Sequence, residues 1–250
     1  MDDIHSDVII TGDCNYSDLT SACDLSDSII HINIRSLAPK ISELEILLNL
    51  LNYPKILLIS ETWLSNNSPA VNIDGYSLVS SPRCTGRGGG VAAYVRNSVL
   101  FSIKDKSSNN TQHHSIDYLL LEIPRMNLSL SCVYIPPNTP LPEIISTLSS
   151  IRLICNPNTS LLIGGDFNIN LLETHAEIVN EFLNEVHTLS LHPVITLPTR
   201  VTDTTATLID NFLCDFALLP ASTSVIKTDI SDHYMIQLKP EALNPSVKFF

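Results

Sequence analysis

The sequence predicts an α/β fold, a four-layered α/β sandwich in which two mixed β-sheets pack face to face with helices outside. Three observations lead there. Short β-prone runs, each closed by a polar residue, recur along the chain, two longer stretches carry apolar residues at helical spacing, and the middle reads as strand, turn, strand. Runs of this length bounded by turn residues fit strands buried on both faces, which requires further layers packed over a sheet.

Residues 1–27 are acidic and serine-rich and carry only the short apolar run DVII, so they are expected to be either an extra strand or a leader outside the fold. SIIHIN then ends at Asn33, and KILLIS is closed by Glu61. Between them APKISELEILLNLL (38–51) places Ile41, Leu44, Leu47 and Leu48 on one helix face. GRGGGVAAYVRNSVLFSI (86–103) and SIDYLLLEIPRMNLSLSCVYI (115–135) read as strand, turn, strand, which points to antiparallel pairing, with Tyr134 closing LSLSCV. SLLIGG is closed by Asp166, with Asn168 two residues on, and LLETHAEIVNEFLNEVHTL (171–189) aligns Ile178, Phe182, Leu183 and Val186 on a second helix. ATLI ends at Asp210, and Asp232 and His233 stand just before the apolar run YMIQL. Pro136, Pro137, Pro193 and Pro198 mark loops, and the tail from Pro240 has no periodicity.

With 250 residues, 44% of them hydrophobic, and a mean hydropathy of +0.19, the chain is long enough for one large core; at this size roughly 70–75% of the unfolded surface is buried. No apolar run approaches the roughly 18 residues that span a bilayer, and the first residues lack the basic flank and apolar centre of a signal peptide. A soluble, intracellular protein with no membrane partner is expected. Cysteines at 14, 23, 84, 132, 155 and 214 form no CxxC pair, so free thiols fit better than disulfides or a zinc site. A net charge of −12 and a pI near 4.9 repel polyanions at long range, which excludes tight nonspecific nucleic-acid binding unless a cation reverses the field locally.

One polar residue at a strand end is ordinarily a turn former or helix cap, but here the pattern repeats at Asn33, Glu61, Tyr134, Asp166 and Asp210. In open α/β sheets ligands collect at the carboxyl ends of parallel strands, and an antiparallel neighbour begins at that same edge. Asp232 and His233, which begin a strand, would then meet the others at one mouth. Carboxylate and amide oxygens suit a hard cation, Mg²⁺ or Mn²⁺, better than zinc. An acid beside an imidazole orients it and stabilises its cation. Together these groups point to hydrolysis of a phosphate ester.

HINIRSL, SETWL, GRGGGVAAYVR, VYIPPN, GGDFNIN, PTRVTDTTATLIDN and SDHYMIQL, in that order over about residues 28–239, resemble the endonuclease/exonuclease/phosphatase family, most closely the endonuclease domain of LINE-type (non-LTR) retrotransposons. GDFN with a late SDH is specific to the family, and PTRVTD followed by LID points to the retroelement branch. The resemblance implies a Mg²⁺- or Mn²⁺-dependent DNA endonuclease that nicks one strand, leaving a 3′-hydroxyl for a fused reverse transcriptase, and a nuclear location when active. Glu61 would hold the catalytic metal with Asn33 and Asp232. Asp166 would orient and deprotonate the attacking water, with Asn168 contacting the same phosphate. Tyr134 would donate its hydroxyl to a non-bridging oxygen. His233 would face the scissile phosphate while Asp210 accepts a hydrogen bond from its other ring nitrogen.

The sequence departs from the pattern at several points. Apurinic-site repair enzymes carry an acid two residues after the first Asn, where this chain has Arg35, which argues against repair. Arg35 joins Thr199, Arg200 and Thr207 as substrate-binding candidates. Asn211 follows Asp210 where many retroelement relatives have His, a change expected to lie outside the inner site. No reverse transcriptase sequence follows within the chain, which is therefore expected to be an excised domain, a truncated copy or a fragment of a longer gene. Arg87 with Gly88, Gly89 and Gly90 fits no phosphate-loop spacing and reads as a hairpin with close backbone packing. Trp63 is expected to be buried beneath the site, and His5, His113, His114, His175, His187 and His192 show no partner pattern. The alternatives are a phosphatase or phosphodiesterase acting on a small or lipid phosphate, or an inactive domain retained as a binding module.

Overall fold

The computed structural model describes residues 15–17, 25–65, 67–83, 88–109, 115–215 and 221–240. In chain order the strands are β1 (Asn15–Ser17), β2 (Ile29–Asn33), β3 (Ile56–Ser60), β4 (Tyr76–Ser81), β5 (Val91–Arg96), β6 (Ser102–Lys106), β7 (Asp117–Ile123), β8 (Leu128–Tyr134), β9 (Ser160–Asp166), β10 (Leu191–Pro193), β11 (Arg200–Val201), β12 (Ala206–Thr207), β13 (Asp210–Asp215), β14 (Ala221–Ile226) and β15 (Met235–Pro240). Among the described residues three α-helices, α1 (Ile41–Leu50), α2 (Leu141–Ile154) and α3 (Glu177–Thr188), interrupt them. One sheet runs β1-β14-β15-β2-β3-β5-β4, the other β10-β13-β9-β8-β7-β6, and β11 and β12 make a small separate ribbon.

Both sheets are mixed. The parallel pairs β2–β3 and β8–β9 sit at their centres, each reached through a helical crossover, with antiparallel strands on either side. Three apolar layers follow from this. Between the sheets, Ile29, Leu58, Ala93, Leu121, Leu130 and Phe212 interdigitate. On the outer face of the first sheet, Leu44, Leu47 and Leu48 of α1 pack on Ile30, Ile32, Leu57 and Ile59. On the outer face of the second, Ile144 and Leu148 of α2 and Phe182 and Val186 of α3 cover Leu161, Ile163 and Leu213. The central strands β2, β3, β8, β9 and β13 are buried on both faces, which explains their continuous apolar runs, while the edge strand β6 is exposed. The four layers are those expected. Among the described residues no helix is long and apolar enough to cross a membrane.

Several local expectations change. Residues 86–103 do not form a hairpin: β5 pairs with β3 and β4 in one sheet and β6 with β7 in the other, so the chain crosses between sheets at the intervening turn. ATLI is not one strand ending at Asp210, because the short ribbon strand β12 stops at Thr207 and Asp210 starts β13. Helix α2 was not anticipated, its serine- and threonine-rich sequence and Pro142 masking the apolar face of Ile144, Leu148 and Ile151. Helix α3 begins six residues later than its pattern, and Val179 rather than the exposed Ile178 faces inward. Asn15–Ser17 adds an edge strand parallel to β14. Cys132, Cys155 and Cys214 are buried free thiols. Cys14, Cys23, Cys84, Arg87, His5, His113, His114 and the tail after Pro240 lie outside the described residues.

Two glycines let β9 approach its neighbours on the way to Asp166. A Cβ on Gly165 would lie 2.1 Å from the Val133 carbonyl oxygen of β8, and one on Gly164 would lie 2.6 Å from the Phe212 ring. Gly165→Ala is therefore expected to lower stability by about 3 kcal/mol, the upper range for overpacking a core, measured as a shift in the urea midpoint with an unchanged slope.

Candidate active site

Strand register assembles the site. Asp117 pairs with Tyr134 across β7 and β8, Tyr134 with Asp166 across β8 and β9, and Asp166 with Asp210 across β9 and β13. Directly paired residues share one face of a sheet, so these four side chains stand in a row at one rim of the second sheet. The first sheet contributes Asn33 from the end of β2 and Glu61 just past β3. The Asn33 amide ties the sheets together, its Nδ2 donating to Glu61 Oε1 and to Asp166 Oδ2, both at 2.8 Å. Asn168 closes the far side, its backbone N–H donating to Asp166 Oδ1 at 3.0 Å and its Nδ2 to the Ile135 carbonyl at 2.7 Å.

The loops around this rim hold unusual backbone. Arg35, Ser36, Glu61, Trp63 and Asn168 all adopt left-handed φ between 46° and 84°, a conformation that non-glycine residues keep only where the surroundings enforce it. Here cross-loop bonds do so: Ser36 N–H to the Glu61 carbonyl (2.9 Å), Leu37 N–H to that of Thr62 (3.0 Å) and Trp63 N–H to that of Gly89 (2.9 Å).

Asp166 and Asp210 are both buried and face each other on adjacent strands. Burial and then the Asp210 charge push the Asp166 carboxyl up to about 8. Burial opposes the Asp210 charge too, yet His233 holds this carboxyl below the usual range. Its Oδ2 accepts from Thr199 Oγ1 at 2.7 Å and lies 2.8 Å from His233 Nδ1. For His233, burial alone would lower the imidazole, but Asp210 outweighs it and the value rises to about 9. The other Asp210 oxygen lies 3.9 Å from Nδ1 of the buried His31, which burial lowers to about 4 and so leaves neutral. Tyr134 is raised by burial and then by Glu61 and Asp166, so its phenol keeps its proton.

Ligand atoms of Asp166, Asp210 and His233 lie within 4.8 Å of one another, and Glu61 and Asp166 share one amide. The donors facing this pole are carboxylate and amide oxygens with one imidazole, a set that fits a hard divalent cation and not zinc.

The other candidates land differently. Asp232 has its Oδ2 occupied by Arg35 Nη1 (2.8 Å) and Arg200 Nε (2.9 Å), so two guanidiniums neutralise it. Thr199 is fully buried beneath Asp210, which places it out of reach of a ligand and corrects its assignment to substrate. Thr207 directs its hydroxyl to the Arg200 carbonyl at 3.4 Å within the ribbon. Asn211 is buried, and its Oδ1 accepts the N–H groups of Val194 and Ile195, both at 3.0 Å. Trp63 is 41% exposed rather than buried, because the left-handed turn at 61–63 sends its ring outward.

Sequence reasoning missed Asp117 and Arg83. Asp117 Oδ2 accepts from Gly90 N–H at 2.8 Å and from Arg83 Nη2 at 2.6 Å, and the Arg83 guanidinium lies 5.3 Å from the centre of the Tyr134 ring. An Asp opening the run DYLLLEI, directly across from Tyr134, was the available signal.

Residues 30–233 match the model of the Endonuclease/Exonuclease/phosphatase family. Among solved structures, the chain is similar to the endonuclease domain of TRAS1, a telomere-specific non-LTR retrotransposon (17% identity, 86% of this chain and 99% of that one, TM-score 0.65). It is similar also to the 3′-5′ exonuclease NExo from Neisseria meningitidis (18%, 86% and 99%, 0.67) and to an AP endonuclease from Archaeoglobus fulgidus (15%, 84% and 98%, 0.64). At these identities the likeness is one of fold. No curated protein matches the sequence.

Removing the Asp210 charge tests the electrostatics directly. In Asp210→Asn the largest influence raising His233 is lost, so its pKa falls from about 9, as read by NMR titration of the imidazole. In the unsubstituted protein the raised value stabilises the fold fully below pH 6.5, a contribution lost as pH rises through about 9. The variant shows less of that loss.

Proposed function

The chain belongs to the endonuclease/exonuclease/phosphatase family, whose members hydrolyse phosphodiester or phosphate bonds, and we propose that it is a divalent-metal-dependent DNA endonuclease nicking one strand for a non-LTR retrotransposon. The observation that carries this reading is the convergence of Glu61, Asn33, Asp166, Asp210 and His233 through one amide and one strand register.

Glu61 and Asn33, with Asp232 behind Arg35 and Arg200, are the residues to hold Mg²⁺ or Mn²⁺. When bound, the ion supplies Lewis-acid stabilisation of a phosphoryl oxygen. The chain's own groups do the rest. Asp166, raised by burial to near-neutral range, is suited to take a proton from the attacking water, since a general base works best poised near the operating pH. Asn168 fixes that carboxylate through its backbone N–H, and its side-chain amide, which donates to the Ile135 carbonyl, stands beside Asp166 where it would contact the same phosphate. His233, with Nδ1 committed to Asp210, presents its other nitrogen as a cationic donor to charge developing on the phosphate. Tyr134 keeps its proton and donates to a non-bridging oxygen.

Three considerations favour a DNA strand. The partly exposed Arg35 and Arg200 stand at the mouth of an otherwise acidic chain, where they suit flanking phosphates. PTRVTD and LID match the retroelement branch, and the fold is shared with a retrotransposon endonuclease domain. A linked reverse transcriptase would use the 3′-hydroxyl, and a nuclear site of action goes with that role. The net charge of −12 favours the second reading, hydrolysis of a small or lipid phosphate ester.

Nicking of supercoiled plasmid by the purified protein with Mg²⁺ is the test. We expect His233→Ala and Asp166→Ala each to slow nicking by about 10² to 10⁴, the range for a positioned proton-transfer or electrostatic group, and EDTA to stop it. Unchanged nicking in either variant rejects the assignment. Cleavage of small phosphate esters with no plasmid nicking selects the second reading.

A further inference from the structure

We propose that Trp63 forms a stacking subsite for a nucleobase beside the scissile phosphate, an inference that rests on the nuclease reading above and adds a contact to the substrate strand.

Trp63 is the sole tryptophan of the chain and leaves 41% of its surface to solvent. Other exposed large apolar side chains, such as Ile46, Leu153 and Ile178, lie on the outer helices α1, α2 and α3. Trp63 instead stands at the mouth, where its indole N–H donates to Glu61 Oε2 at 3.0 Å. The edge carrying that nitrogen rests against Gly88, where a Cβ would lie 3.4 Å from Nε1. A hydrogen bond and a glycine seat thus fix the ring without burying it. Glu61 and Trp63 both adopt left-handed φ, 51° and 53°, so the backbone holds strain that turns the carboxylate inward and the indole outward. A tryptophan kept only for packing would need neither feature. Any phosphate placed against Glu61 brings its flanking nucleoside within reach of the indole, and a flat aromatic surface accepts every base by its π-face. Inorganic phosphate offers nothing to stack.

Two measurements on the full chain test this. In steady-state nicking of a DNA fragment, Trp63→Ala should raise KM roughly tenfold, the effect of losing one base–aromatic stack. Trp63→Phe, which keeps a ring but loses the bond to Glu61, should restore KM even where kcat falls. In the unsubstituted protein the single indole reports its own occupancy, and needs no variant to fold. The DNA fragment should quench its fluorescence on mixing, whereas the fragment with abasic residues at the cleavage site, or inorganic phosphate, should not. Nicking with an unchanged KM in Trp63→Ala, or equal quenching by abasic DNA, overturns the subsite and leaves the nuclease reading standing. Absence of both nicking and quenching by DNA overturns the two together.

Discussion

The site depends on one constraint: two buried carboxylates, Asp166 and Asp210, face each other on neighbouring strands. Two like charges in a medium of low polarity cannot both persist without cationic help. His233 answers on the Asp210 side and Thr199 adds a neutral donor there, so the charge settles on Asp210 and Asp166 moves upward. On the Asp166 side the His233 charge acts from a distance and amides of Asn33 and Asn168 donate directly, which together do not offset burial and the Asp210 charge. That asymmetry marks the Glu61–Asn33–Asp166 side as the one with unmet demand for positive charge, and the Asp210–His233 side as already balanced.

The same asymmetry reconciles an acidic chain with an anionic substrate. At physiological salt, charges separated by more than about 8 Å are largely screened from each other in solvent. The dispersed acids on the helices therefore weigh little at the mouth, where Arg35 and Arg200 converge on Asp232. Because that carboxylate is shared between two guanidiniums, the trio keeps a net positive charge facing solvent. Further along the rim, Arg83 is bound to Asp117 and lies close to the Tyr134 ring, so its charge helps hold the phenol.

Rigidity beneath the rim permits strain above it. The strands that deliver Asn33, Tyr134, Asp166 and Asp210 are buried on both faces, and Gly164 and Gly165 bring β9 closer to its neighbours than any side chain would allow. Against that frame the left-handed residues at 36, 61 and 63 are held by cross-loop hydrogen bonds, and those at 35 and 168 by bonds from their own N–H groups to Asn33 and Asp166. His31, neutral and buried directly under Asp210, shows how far the polar character of the rim reaches into the sandwich.

Much of this was legible before any coordinates. Apolar runs closed by polar residues located the buried strands and nominated Asn33, Glu61, Tyr134, Asp166 and Asp210, because a strand buried on both faces must change character where it reaches water. The fold class followed from the same pattern, with GDFN and SDH pointing to the family. What the sequence could not supply was anything set by pairing between distant segments. Asp210 opens its strand instead of closing one, and whether it meets Asp166 depends on the antiparallel register of β13 with β9. Residues 86–103 look like a hairpin, yet their two strands join different sheets. Thr199 reads as a surface residue and lies under a carboxylate, and Asp232 meets two arginines from segments far apart in the chain. Trp63 follows an apolar run and still points outward, since a left-handed turn formed without glycine leaves no mark in the local sequence. Local composition determines which segments are buried; only the packed sheets decide which side chains then face one another, because register is a property of pairs of strands and not of either strand alone.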